Sequence, residues 1–521
     1  MNVNNHRFMK CIKLKIRWRL LFACSPFLLL SASLAGQTRP AAPPLQAVID
    51  LIAEDSSMLD DAVFRYETLK GGVNSLYSLQ ANAGEEKITG RESRHVILLP
   101  EAYSYVRLSY KAAYHQDEDP DLRQPLGIDP WLLQDGDTVV IHLSRKRNGV
   151  WFSGNAAAKM TCLLRIRRKF RNGIGSFSRS NNLYRQARYS EALEAKKQQF
   201  DSLYTVCSGI LNEYRPQISA RAAALLATDC LAYYYTMMVN HFSLAGDEPD
   251  LRASFDDTKK VFMRYFGSFK EGDNRDEGLL TQSYFYADFL LKKDMALLAF
   301  RNSSADAFRK CTFEELTDFI GRNYQGMLRD KLLLLAFYRG GKGKNLAGRE
   351  LSQNLDKAGD SRYGRALREY AAKISTGIPA YNFSLWDETG KVVRLADLRG
   401  KLLIMDFWFT GCHGCTLMAE KLKPLAAKYK DNPRVLFVSV SIDRKKDQWL
   451  RSVKEEKYSG KHELNLWLGT GTGRCPLPEY YNFDSYPQLM VISADGKLIT
   501  TSPPDPRRSE EAFISFVEGC L

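Results

Sequence analysis

A chain of 521 residues, 45% hydrophobic, 12% aromatic and 26% charged, has ample material for burial, which excludes a disordered polymer. It also exceeds the ~100 to 200 residues usual for one compact core, so several folded units are expected. The formal net charge of +14 is partly concentrated in the first twenty residues, which argues for a targeting segment and against a nucleic-acid partner.

That segment reads "MNVNNHRFMKCIKLKIRWR", with Arg7, Lys10, Lys13, Lys15, Arg17 and Arg19 and no acid, followed by the apolar run "LLFACSPFLLLSASLA". A basic stretch, an apolar stretch and then small residues is the order of a secretory signal, so residues 1–35 are expected to be a signal peptide cleaved after Ala35. The alternative is a retained N-terminal membrane anchor, although the run is short of the ~20 residues that span a bilayer. Cys24 stands at the front of the apolar run, which argues against lipid modification there. Taking the six leader charges from +14 leaves an exported product of about +8. The expected location is therefore the periplasm or cell envelope. Of ten cysteines, Cys11 and Cys24 would leave with the leader. The remaining eight are too few in so long a chain for a disulfide scaffold.

Residues 36–178 read as a β-rich N-terminal domain. "SYVRLSY" alternates Val106, Leu108 and Tyr110, and "DTVVIHL" alternates Val139, Ile141 and Leu143 after the turn "QDGD". The basic stretch "RIRRKFRNGIGSFSRSNNLYRQAR" is expected to be a solvated surface opening a helical region; an anionic partner is the alternative.

Over residues 179–375 the period changes and an all-α middle domain is expected. Leu193, Phe200, Leu203, Cys207, Ile210 and Tyr214 recur at three and four, with Cys207 in the core, and "TFEEL" offers a capping box from Thr312 to Glu315. The block "AAALLATDCLAYYYTMMV" holds a single charge, Asp229, and approaches a membrane span in length. Its central acid and hydroxyl groups favour a buried helix of a soluble fold. "RGGKGKN" reads as a flexible loop, and "STGIPAYNF" marks the next boundary.

Residues 376–521 read as a mixed β/α unit. "YNFSLWDETGKVVRL" is a hairpin and "KLLIMDFWF" a buried strand that runs into "TGCHGC". The next helix shows Met418, Leu422, Leu425 and Tyr429 on one face. "VLFVSVSI" is a strand covered on both faces. Then "PQLMVI", the turn "SADGK", the strand "LIT" and a last helix through "EEAFISFV" complete the unit. A Cys-x-x-Cys at a strand-to-helix junction places the first sulfur at the helix N-terminus, where unpaired amides favour the thiolate. Cys412 is then the attacking sulfur, its pKa lowered from roughly 8.5 toward 7. Cys415, one turn into the helix, would resolve the mixed disulfide.

Residues 376–521 resemble the thioredoxin superfamily, in particular its exported TlpA/ResA-like branch. The resemblance rests on the leading hairpin, the "DFWF" strand before "CHGC", the helix after it, and "YPQLMVISADGKL" some seventy residues later. It implies an α/β thioredoxin-like fold with Cys412 and Cys415 as the redox pair. It also implies a cis-proline at Pro487 facing the pair, backbone hydrogen bonds from Tyr486 to an incoming chain, and a buried acid, Asp406, assisting proton transfer at the second sulfur. Three positions depart from the pattern. Gly411 stands where a tryptophan is common, Glu420 where a proline is usual, and Met418 where many members carry a glutamate. His413, between the cysteines, would tune the pair.

The expected function is an exported thiol-disulfide oxidoreductase that reduces or exchanges disulfides of envelope proteins and needs no dissociable cofactor. Its partners would be disulfide-containing exported proteins and an electron-donating membrane or soluble redox partner. The alternative is an envelope binding or assembly protein whose thiols are regulatory or incidental. A thiol peroxidase stands third, since only Thr410 is present of its proline and threonine frame. No metal is expected, because a lone Cys-x-x-Cys supplies two of the four ligands that zinc needs. "GTGTGRC" lacks the Gly-Lys-Ser/Thr of a phosphate loop and reads as a loop beside Cys475. Cys475 and Cys520 remain available to pair with each other.

Overall fold

The computed structural model describes residues 43–53, 63–69, 80–87, 91–111, 130–144, 149–173, 178–242, 253–269, 276–304, 311–340, 355–469, 475–481, 483 and 485–521. The leader, the "RGGKGKN" segment beyond Gly340 and Thr470–Arg474 of the glycine-rich stretch lie outside them.

Alternating burial in the N-terminal region builds two four-stranded sheets. The strands are β1 (Gln46–Ala53), β2 (Val63–Leu69), β3 (Gln80–Lys87), β4 (Glu92–Leu98), β5 (Tyr103–Lys111), β6 (Trp131–Gln134), β7 (Thr138–Ser144) and β8 (Gly149–Ser153). Their orders are β4-β1-β7-β8 and β3-β2-β5-β6, with β1 parallel to β7. Val139, Ile141 and Leu143 of β7 and Val106 and Leu108 of β5 enter one shared core with Ile49, Leu51, Trp131 and Phe152. The period-2 pattern thus marks the inner faces of a sandwich. Burial on Tyr110 lies outside what is described.

The helical run opens at Ala157, some twenty residues ahead of the boundary expected at 179. Helix α1 (Ala157–Gly173) covers the sandwich with Met160 and Leu164 and the neighbouring helices with Cys162, Ile166 and Phe170. Its basic residues are more than a solvated surface. Arg165 pairs with Glu213 at 2.6 Å, and the Arg167 guanidinium lies 4.3 Å from the Trp131 ring and donates to the Pro130 carbonyl. There follow α2 (Ser178–Arg185), α3 (Tyr189–Tyr214), α4 (Ala220–Phe242), α5 (Phe255–Phe266), α6 (Glu277–Gln282), α7 (Tyr286–Arg301), α8 (Phe313–Asn323), α9 (Gly326–Gly340) and α10 (Arg362–Ile374). Leu193, Phe200, Cys207 and Ile210 of α3 are buried as their spacing predicts. The capping box from Thr312 to Glu315 opens α8.

Helix α4 is long and apolar enough to cross a membrane, yet it is enclosed by its own chain, with thirteen buried residues spread around its circumference. Asp229 at its centre shows why. The carboxylate accepts hydrogen bonds from the Tyr105 hydroxyl of β5 (2.5 Å), the Ser283 hydroxyl (2.5 Å) and the amides of Tyr284 (3.0 Å) and Phe285 (3.4 Å). Arg107 reaching the Tyr284 hydroxyl and Arg362 paired with Glu101 add further links between sheet and helices.

The C-terminal region is a seven-stranded mixed sheet of order β10-β9-β13-β12-β11-β14-β15. Its strands are β9 (Ser384–Asp387), β10 (Val392–Arg394), β11 (Leu402–Trp408), β12 (Val435–Ser441), β13 (Leu464–Trp467), β14 (Gln488–Ile492) and β15 (Leu498–Thr500). Helices α11 (His413–Lys428), α12 (Lys446–Lys454), α13 (Leu477–Tyr481) and α14 (Glu510–Gly519) complete it. β11, β12 and β13 run parallel, and β14 runs antiparallel to β11. Sequence reasoning placed the hairpin, β11, α11, β12, β14, β15 and α14. It missed β13, α12 and α13, which are short and carry no clear period. Cys475 and Cys520 are not a pair. Neither is in a disulfide, and Cys475 packs under one sheet face while Cys520 packs under the other.

Removing the Asp229 carboxylate strands several buried donors at once. Asp229→Ala is expected to cost about 3 kcal/mol and Tyr105→Phe about 1 kcal/mol in denaturant unfolding of the full chain. Equal effects would show that the junction does not depend on the carboxylate.

Candidate active site

The site is built on β11, the central strand, every residue of which is buried. Its even positions face α11. Leu402 and Ile404 join Val435, Phe437, Leu489 and Val491 in an apolar layer under Met418, Leu422 and Leu425. The next position changes character. Asp406 lies opposite Ser439 of β12, and Ser439 opposite Asn465 of β13, so a polar row crosses three strands. One pleat further, Trp408, Ser441 and Trp467 are in register, and the two tryptophans pack with Cys412 and Cys415. The cysteines therefore sit at the carboxyl edge of the parallel strands, with a carboxyl one row beneath them.

Cys412 is the N-cap of α11 and Cys415 lies in its first turn. The two are joined in a disulfide, and the Cys415 amide points at the Cys412 sulfur at 3.1 Å. Cys412 is 7% exposed and Cys415 is fully buried. An N-terminal helix amide aimed at the first sulfur is the arrangement that favours a thiolate there. His413, the first residue of α11, is exposed beside it.

The loop ahead of Cys412 is clamped. The Asp443 carboxylate, just past β12, accepts from the Thr410 amide (3.0 Å) and hydroxyl (2.7 Å), and the Thr410 hydroxyl also meets Ser452 of α12 (2.7 Å). The Gly411 amide donates to the Tyr458 hydroxyl at 2.7 Å, and the Tyr458 ring stacks on Trp408 at 4.8 Å. Gly411 has φ +99°, a conformation that explains why glycine stands where a bulky residue would be strained.

The Tyr486–Pro487 peptide is cis. A Cβ placed on Gly414, between the cysteines, would lie 3.2 Å from Pro487 Cδ and 3.9 Å from the Tyr486 carbonyl oxygen. The absence of a side chain at Gly414 thus lets the proline loop lie against the pair. The Tyr486 ring meets Phe409 edge-on at 6.0 Å, and Phe409 and Leu417 are among the few large apolar side chains left exposed. A cleft of about 460 Å³ is lined by Met418, Pro487, Leu489, Pro504 and Arg507.

Asp406 is buried, and its Oδ1 has no hydrogen-bond partner. Burial, and then the charge of Glu463, push its carboxyl well above the usual carboxylate range, against the pull of Arg507. Glu463 is itself pushed up to about 7 by burial, opposed by the Gly460 amide and the Lys423 charge. Among the described residues no group of three or more His, Cys, Asp and Glu side chains could hold a metal ion.

A family model described as thioredoxin-like matches residues 400–498, which include β11, the cysteine pair and Pro487. By its C-terminal domain the chain is a TlpA/ResA-like member of the thioredoxin superfamily. Over 128 residues it is 28% identical to the thiol-disulfide oxidoreductase ResA of Bacillus subtilis, covering 24% of this chain and 66% of that protein. Over 116 residues it is 30% identical to the thiol:disulfide interchange protein DsbE of Yersinia pestis, covering 22% and 60%. The chain thus spans just under two thirds of these relatives' own length. A solved thiol:disulfide interchange protein from Bacteroides sp. is 26% identical over 27% of this chain and 92% of its own, with a TM-score of 0.24.

The thioredoxin-like domain brings together every site residue expected from sequence. Cys412, Cys415, His413, Tyr486 and Pro487 surround one surface, and Asp406 lies beneath. Glu420 is exposed on α11, and the helix carries its proline four residues later, at Pro424. Asp443, Tyr458 and Glu463 were missed. A signal existed for Asp443, an acid at the carboxyl end of the strand next to β11. Tyr458 and Glu463 lie in turns with no periodic pattern.

Because the folded chain raises the Asp406 pKa, its contribution to stability is present at low pH and lost as pH rises through the folded-state value. Asp406→Asn is therefore expected to stabilise the oxidised protein at pH 8, by about 1 to 3 kcal/mol, and to do little near pH 4. Thermal unfolding at the two pH values checks the difference.

Proposed function

We propose that this chain is an exported thiol-disulfide oxidoreductase that reduces or exchanges disulfides of envelope proteins. The single observation carrying the reading is the disulfide at the start of α11, with Cys412 7% exposed, Cys415 fully buried, and Pro487 laid against Gly414 between them. The basic and apolar run of residues 7–35 supports export.

In the reduced form the Cys412 thiolate attacks a substrate disulfide. One Cys412–substrate bond forms, the substrate S–S bond breaks, and one substrate thiol leaves. Cys415 gives its proton to Asp406 and displaces the second substrate thiol, closing Cys412–Cys415 and passing two electrons to the substrate. Tyr486 presents its carbonyl to the incoming chain beside Pro487, and exposed Phe409 and Leu417 offer apolar contact to a protein substrate. His413, exposed beside Cys412, tunes the pair. A thiol or membrane redox partner returns the two electrons. The Asp443 and Tyr458 bonds keep the Cys412 loop in place through both steps.

Titration of the full chain in dithiothreitol and glutathione buffers, read by alkylation mass shift, is expected to show one reversible two-electron couple at Cys412 and Cys415. A midpoint near about −270 mV would fit a reductant. Cys415→Ser is expected to accumulate a mixed disulfide with a disulfide-bonded substrate, and Cys412→Ser to lose at least about a hundredfold in exchange rate. Exchange that survives in Cys412→Ser, or thiols that never pair, would overturn the reading in favour of a binding or assembly protein with incidental thiols.

A further inference from the structure

A carboxyl beneath the second cysteine poses a difficulty that burial makes acute. To take the proton of Cys415, Asp406 must be ionised, yet its surroundings favour the protonated form. Each turnover therefore needs a way for Asp406 to discharge its proton to solvent. The route cannot run through the apolar layer of Leu402, Ile404, Val435, Phe437 and Leu489, which lies on the same face of the sheet. Nor does it run through the tryptophan row, where Trp408 donates its indole N–H to Ser439 at 2.6 Å and Trp467 donates to the Asp443 carbonyl.

The polar row offers one direction. Asp406, Ser439 and Asn465 lie side by side on β11, β12 and β13. Glu463 stands two residues ahead of Asn465, in the turn that enters β13, and that turn packs through Gly460 on Lys423 of α11, the helix over the Asp406 face of the sheet. It is half-buried, so it reaches both the interior and water. Its Oε1 is held at 2.9 Å by the Gly460 amide, within a turn closed by the Glu463 amide on the Gly460 carbonyl. Lys423 of α11 packs against Gly460 and has its ammonium tied to the Glu456 carbonyl.

We infer that Glu463 is the proton-exchange residue of the site, carrying protons between buried Asp406 and solvent during resolution of the mixed disulfide. This rests on the exchange reading above and on Asp406 as acceptor of the Cys415 proton. The balance is simple. Cys415 loses a proton as its sulfur bonds to Cys412, Asp406 takes it, and Glu463 relays it outward as a carboxylate that is transiently protonated and then released to water. In the opposite direction the same two carboxyls return the proton when the disulfide is reduced. The charged groups facing the pair are Arg507, from the loop ahead of α14, toward Asp406, and Lys423, from α11, toward Glu463. Glu463, pushed up to about 7, changes its charge near neutral pH and so can both accept and release there.

The test is rapid-mixing kinetics on the reduced full chain with a disulfide-bonded peptide, from pH 5.5 to 9, separating formation of the mixed disulfide from its resolution. In the unmodified chain the resolution rate is expected to bend near pH 7. Glu463→Gln should leave formation within twofold, slow resolution about fivefold at neutral pH and remove the bend, and Glu463→Asp should restore part of the rate. Lys423→Met provides a second variant that keeps the carboxyl. It should move the bend to higher pH, because the Lys423 charge favours ionised Glu463. Resolution profiles for Glu463→Gln that superimpose on the unmodified chain, or a bend unmoved by Lys423→Met, would overturn the inference while leaving exchange intact. A chain that forms no mixed disulfide at all would overturn the exchange reading and this inference with it.

Discussion

A carboxyl buried without a counter-ion costs several kcal/mol unless it gives up its charge, and the C-terminal domain places one, Asp406, one pleat below its disulfide. The other features of the site accommodate that choice. The strand holding Asp406 is buried along its whole length, so the carboxyl cannot turn to solvent. The helix above it has Cys412 as its N-cap, and the Cys415 amide points at the Cys412 sulfur at 3.1 Å. The neighbouring strands supply Ser439 and Asn465 rather than more apolar residues, which makes a polar row across a face that is otherwise hydrocarbon and indole.

The chain contains a second buried acid that makes the contrast plain. Asp229 sits at the centre of an apolar helix, yet its two oxygens accept four hydrogen bonds, from a strand of the sandwich and from the start of α7. A fully satisfied carboxylate rigidifies a junction. One with an oxygen left unpartnered remains free to exchange a proton. The same residue type is thus fully bonded in one region and left with an unpartnered oxygen in another, and the difference lies in the donors around it.

The site also depends on two glycines for opposite reasons. Gly411 takes a backbone conformation that side chains avoid, and so turns the chain into α11 while its amide is held by Tyr458. Gly414 is ordinary in conformation but leaves room for Pro487 to approach the cysteines. Asp443, Thr410 and Ser452 then fix the first of these turns from the adjacent strand and helix. The resulting surface is rigid behind the disulfide and apolar around it, with Phe409, Leu417 and Tyr486 at its rim.

Sequence alone determined the elements whose signal is local. The strand running into Cys-x-x-Cys, the amphipathic helix after it, the alternating strands of the sandwich and the Thr312 capping box follow from periods of 2 and 3.6 and from short-range hydrogen bonding. Cys412, Cys415 and His413 stood out at one strand–helix junction, whereas Tyr486, Pro487 and Asp406 came only from the resemblance to the thioredoxin superfamily. Only the tertiary structure decided what those residues face. The register that sets Asp406 beside Ser439 and Asn465, the reach of Asp443 to Thr410, the separation of Cys475 from Cys520 by a sheet and the place of Glu463 all join segments 30 to 60 residues apart. Such contacts are set by strand order and burial, which no local pattern encodes. The basic stretch around Arg165 and Arg167 makes the same point. Its charges read as surface until the fold sets them against Glu213 and Trp131.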